Sequence, residues 1–150
     1  MGAFRRRWPG ISYGRGEDWH YVGEAGEPAF ENEWVNAAAD SHLAFRIREA
    51  GIVDVQGYIE NDNAPSDPST PTIFVLPTGY RPATDTYNGS AVVLVGGGTT
   101  TGYTSIPLAV TSGGIVALDG ADMTPQFGAG AYIQYLWIQG QFFLDPASAP

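Results

Sequence analysis

Apolar and polar positions alternate most clearly at residues 43–48. Leu43, Phe45 and Ile47 occupy one phase, and Ala44, Arg46 and Arg48 the other. A period of two is the mark of a half-buried strand. Gly51 interrupts it, and residues 52–59 read as a second strand with Val53, Val55 and Gly57 on one face, close enough to the first to form a hairpin. Residues 61–71 (NDNAPSDPSTP) are loop by composition, with three prolines and no large apolar side chain. A short apolar strand follows at 72–76 and closes in the turn Pro77-Thr78-Gly79. Further strands are expected at 90–95, 103–110, 115–118 and 131–144, the last carrying Tyr132, Tyr135, Trp137, Phe142 and Phe143. Asn88-Gly89, Gly113-Gly114 and Asp119-Gly120 supply turns, and 96–102 is a glycine- and threonine-rich tip. One helical turn is expected within 32–40, around Asn36-Ala37-Ala38-Ala39. Residues 1–20 follow neither period and read as an extended arm ahead of one domain, 21–150. About seven short strands without a sustained helix predict an all-β fold, an antiparallel β-sandwich or jelly-roll-like domain.

Composition narrows the chemistry. The chain has 150 residues, the size of one domain that buries enough surface to fold without staples. It has no cysteine, so disulfides, thiolate metal sites and a cysteine nucleophile are excluded. All seven basic residues are arginine, which removes the P-loop lysine and Schiff-base chemistry. Sixteen acidic residues give a net charge of −9, a poor match to a nucleic-acid binder. Twenty glycines, eleven prolines and 13% aromatic residues describe a turn-rich globular chain and not a disordered one. No run approaches the roughly 18 apolar residues of a membrane span. The basic N-terminus lacks the apolar core of a secretory signal, so synthesis in a cytoplasm is expected.

The candidate chemical groups are sparse. The glycine run 95–102 has neither the lysine nor the following helix of a phosphate cradle. His20 and His42 are not at metal-ligand spacing, although Asp18, Glu31 and Asp40 lie near them in sequence. The acidic pairs Glu17-Asp18, Glu31/Glu33 and Asp119/Asp122 carry no sign that two carboxylates face each other, as glycoside hydrolysis requires. The G-x-S-x-G nucleophile elbow is missing. No catalytic residue, metal site or cofactor is therefore assigned, and the chain is expected not to be an enzyme. Phe4, Arg5, Arg6, Arg7 and Trp8 combine concentrated positive charge with aromatics, the composition of a subunit contact. Asn88-Gly89-Ser90 fits a glycosylation sequon but reads as a tight turn.

The most distinctive string is Phe74-Val75-Leu76-Pro77-Thr78-Gly79-Tyr80-Arg81-Pro82-Ala83. It resembles the LP-x-GYRP signature of small virion structural proteins of tailed bacteriophages: minor tail, tail-tip and fibre-type proteins with a β-sandwich domain. The lead-in is similar, with a Gly/Pro-rich stretch up to Trp34, an arginine-bearing strand at 45–48 and a G-x-V-x-x-x-G strand at Gly51, Val53 and Gly57. The resemblance implies a non-enzymatic virion component, assembled in the host cytoplasm as a homotrimer beside other virion proteins. A minor tail or tail-tip protein contributing to host-surface attachment is the first expectation. A trimeric capsid decoration protein and a free carbohydrate-binding module are the alternatives. Tyr80, Arg81, Asp85, Tyr87 and Tyr103 are the candidate receptor-binding residues, with a host cell-surface glycan as candidate ligand, and neither nucleic acid nor membrane insertion is expected.

Overall fold

The computed structural model describes residues 17–38, 41–61, 72–120 and 122–145. The expected arm contacts Phe4, Arg5, Arg6, Arg7 and Trp8 and most of the loop at 61–71 lie outside the described residues. The strands are β1 (His20–Tyr21), β2 (Val35–Asn36), β3 (Ala44–Arg48), β4 (Ile52–Glu60), β5 (Thr72–Val75), β6 (Thr86–Gly96), β7 (Gly102–Val110), β8 (Ile115–Leu118) and β9 (Tyr132–Phe143). The helix α1 is one turn, Thr124–Phe127. The all-β antiparallel expectation holds.

Among the described residues the nine strands belong to one sheet, ordered β1-β3-β4-β9-β6-β7-β8-β5, with β2 also paired to β4. The sheet curls until its two flanks meet. Phe45 of β3 stacks on Phe74 of β5 with ring centroids 5.8 Å apart, although the two strands lie near opposite ends of the sheet. The layers expected of a sandwich are thus two flanks of one curled, half-barrel sheet. The concave side is the core. Val53, Val55 and Ile59 of β4, Ala91, Val93 and Val95 of β6, and Leu136, Ile138 and Phe142 of β9 all point into it. Each large side chain hidden this way contributes about 2 kcal/mol from removal of its surface from water.

Two local expectations are corrected. The helical turn at 32–40 is not formed by its described residues. Asn32 and Glu33 take left-handed φ values of 52° and 65°, and β2 pairs with Ile59 and Glu60 of β4. An isolated helical turn has no tertiary partner, whereas here the Asn32 amide donates to the Thr72 carbonyl and the Asn61 amide donates to the Asn32 carbonyl. Asn88-Gly89 is not a turn either. It lies within β6, where the register with β7 shifts between Thr86 and Gly89, so it forms a bulge. Gly113-Gly114 and Asp119-Gly120 do turn the chain, with φ of 90° at Gly114 and 81° at Gly120. The tip between β6 and β7 is docked on α1, since the Thr100 amide and the Thr99 hydroxyl both donate to the Phe127 carbonyl.

Candidate functional site

Strand alternation that sends every second residue into the core sends the others outward. Antiparallel register lines those outward residues up in rows across the sheet. One row reads Ala44, Gln56, Gln139, Ser90 over β3, β4, β9 and β6. The next is Tyr58, Trp137, Val92, Ser105, followed by Glu60, Tyr135, Leu94, Tyr103. On the other side of the amide row lie Arg46, Asp54 and Gln141. The outer face is therefore zoned into charged, amide and aromatic bands.

The aromatic band is tightly organised. Tyr58 stacks on Trp137 with centroids 4.5 Å apart and planes within 13°, and Tyr135 covers the Tyr58 side of the stack at 5.6 Å. Tyr103 lies 6.1 Å from Trp137. Burial, with the nearby Tyr135 and Glu60, pushes the Tyr58 hydroxyl above its ordinary range, so it stays a neutral donor and acceptor. Tyr58 and Trp137, with Trp19, Tyr21 and His42, line an open groove of about 580 Å³. Its other lining residues include Ser41, Gln56, Ser90, Val92 and Gln139. Among the described residues, no aspartate, glutamate or arginine lines it. A shallower recess of about 380 Å³, lined by Tyr87, Gly89 and Gln141, continues from it through the shared Ser90 and Gln139.

In the charged band one carboxylate is shared by two guanidinium groups. The Asp54 carboxylate is 3.1 Å from Arg48 Nε and 3.7 Å from Arg46 Nε. The Arg46 guanidinium lies 4.3 Å over the Trp19 ring, which fixes one wall of the groove by a cation–π contact.

Behind that wall is a second cluster. His20 is flanked by Trp19 and Tyr21 in sequence but faces the other way, stacked on Phe45. Its Nδ1 is 2.8 Å from Glu27 Oε1 and its Nε2 is 2.9 Å from the Tyr80 hydroxyl. The Tyr80 hydroxyl also donates to Glu17 Oε2 at 2.9 Å, and Glu17 Oε1 accepts the Ile47 amide at 2.8 Å. Burial alone would lower the His20 pKa, but the hydrogen bonds and charges of Glu27 and Glu17 outweigh it and hold it above the ordinary value. Burial, then the Glu17 hydrogen bond, pushes the Tyr80 hydroxyl far up, so it remains protonated.

The candidate receptor residues separate in space. Tyr87 and Tyr103 are well exposed, at 58% and 66%, and both border the outer face. Tyr80 is tied into the His20 cluster. The Arg81 side chain folds back so that its Nε donates to the Leu76 carbonyl, closing the Leu76–Arg81 turn. Asp85 accepts the Ser112 amide. Among the described residues no group of three His, Asp or Glu is arranged to hold a metal ion. No helix among them is long and apolar enough to cross a membrane.

Sequence reasoning missed Gln56, Tyr58 and Gln139 as site residues. Their signal is a mirrored pair, Gln56-Gly57-Tyr58 and Trp137-Ile138-Gln139, which becomes one amide pair and one ring pair only when β4 and β9 are laid antiparallel. No family model, no curated protein and no solved structure matches this chain.

Proposed function

We propose that this chain is a virion structural component of the tailed-phage kind, a trimeric minor tail or tail-tip protein, and that it attaches to the host surface by holding an uncharged glycan on its outer face. The observation that carries the ligand reading is the groove with aromatic walls and amide and hydroxyl groups between them, its described lining residues including no acid or arginine. Sugar rings offer apolar C–H faces that pack on Tyr and Trp, and hydroxyls that pair with Gln56, Gln139 and Ser90. Cross-strand stacking holds Tyr58 and Trp137 before any ligand arrives, so little side-chain entropy remains to be lost on binding. The virion part of the reading rests on the LP-x-GYRP resemblance.

The test is titration of the purified chain with chitohexaose and cellohexaose as neutral probes, followed by heteronuclear NMR. Binding is expected to shift the Trp137 indole and the Gln56 and Gln139 side-chain amides. Trp137→Ala is expected to weaken it on the order of tenfold or more, the loss of one stacked aromatic contact. Shifts confined to other surfaces, or affinity unchanged by Trp137→Ala, would remove the glycan-face reading. Light scattering that returns a single-chain mass on assembled particles' extracted protein would count against the trimer.

A further inference from the structure

His20 sits where it can govern the groove without touching what the groove holds. β1 has only two paired residues, so few bonds fix the Trp19–Tyr21 wall to the sheet. Beyond those pairs, the Val22 amide donates to the Leu43 carbonyl and the Glu17 amide to the Ile47 carbonyl. On the outer face Arg46 covers Trp19 and His42 meets Tyr21 edge-on, and on the inner side the anchorage is the cluster of Glu17, His20, Glu27 and Tyr80. Its proton arrangement follows from donor counting. Glu27 and Glu17 are acceptors, so Nδ1–H must point at Glu27 and the Tyr80 hydroxyl at Glu17. The contact between Nε2 and the Tyr80 oxygen is then made only if Nε2 also carries a proton. All the contacts are made together by imidazolium alone. A neutral ring leaves either Glu17 or Tyr80 one bond short.

We infer that His20 is a positioning residue for the groove: in its doubly protonated form it holds the Trp19–Tyr21 wall in place, and its deprotonation releases that wall, so ligand binding on this face is linked to protons. The inference rests on the groove reading above for its ligand. The groups facing His20 are Glu17 from the segment before β1, Glu27 from the turn after it, Tyr80 from the turn after β5, and the uncharged Phe45 ring of β3. His42 stands on the groove side, 5.8 Å from the Tyr21 ring and 3.9 Å from Glu24, and is the competing source of any pH response.

The experiment reads the wall directly. The ring signals of His20, the indole N–H of Trp19, and the exchange protection of the Val22 and Ile47 amides are followed by NMR between about pH 5.5 and about pH 8.5. The expected result is that Trp19 titrates in step with the His20 ring. Protection, corrected for intrinsic exchange, is expected to fall on the order of tenfold for each unit by which closure raises the His20 pKa. His20→Gln should abolish the Trp19 titration, Tyr80→Phe should move it down, and His42→Gln should leave it in place. A Trp19 signal that stays still while His20 titrates overturns the inference, as does a titration that survives in His20→Gln. Chitohexaose titrated at both pH values separates the two readings. Tighter binding at low pH in the unmodified chain supports both. Failure to bind at either pH, with the Trp19 titration intact, removes the glycan and leaves the positioning role standing.

Discussion

At Gly57 a Cβ would lie 2.8 Å from the Leu43 nitrogen and 2.9 Å from the His42 carbonyl oxygen, both backbone atoms of the segment that leads into β3. Gly26 is the opposite case, with φ at +83° and nothing within 4 Å of a built Cβ. Gly57→Ala is expected to cost about 3 kcal/mol through overpacking against immovable backbone. Gly26→Ala should cost about 1 kcal/mol from left-handed strain alone. Urea unfolding of the two variants checks the ordering, and equal losses would show that crowding at Gly57 is relieved elsewhere. The face on which Gly57 lies was readable from its alternation with Val53 and Val55. The need for glycine was not, because the atoms that exclude a side chain come from residues 42 and 43. The same limit hid the His20 cluster, whose Tyr80 arrives from a turn sixty positions away.

Strands, not single residues, decide the zoning of the outer face. β4 pairs with β3 over Ile52–Gln56 and with β2 at Ile59 and Glu60, so one edge of it is shared between two partners. Asp54 pins the first of these pairings, because its carboxylate serves both Arg46 and Arg48 on β3. Asp54→Asn is expected to destabilise by about 2 kcal/mol, between the values for exposed and fully buried ion pairs. The loss should shrink in Arg48→Gln, where less positive charge is left unbalanced, and thermal unfolding of the single and double variants measures that coupling. Strand positions at 52–59, 103–110 and 115–118 were legible because period two survives wherever one face is buried. The start of β6 was not. Asn88-Gly89 has the composition of a hairpin turn, yet a Cβ at Gly89 would meet Leu108 at 3.0 Å and Gly140 at 3.1 Å, so a close approach between strands claims the glycine.

For the molecule as a whole, closure of the curled sheet depends on a small set of contacts between its flanks. Phe45 on Phe74 is one of the apolar ones, and the polar ones include the His20–Tyr80 pair and the bonds from Glu31 and Asn32 to the Ile73 and Thr72 carbonyls. A histidine whose folded pKa is raised stabilises fully below its unfolded value of 6.5, and that stability is lost as pH rises through the raised value. The unfolding temperature is therefore expected to fall as pH rises above about 6.5, and to lose most of that slope in His20→Gln. An unaltered slope would mean that closure does not use the imidazolium. The curl itself was beyond sequence patterning, since alternation reports which side of a strand is buried but not which strands meet. One feature of the strand order reaches into how the chain is made. β9, which follows every other described strand in the chain, is the central strand between β4 and β6, with Phe143 paired to Ile52. During synthesis the two earlier halves of the sheet wait with open edges, unable to join each other. The sheet can then close only after translation has passed residue 143, slowed by distant pairings and exposed to edge-to-edge aggregation until it does.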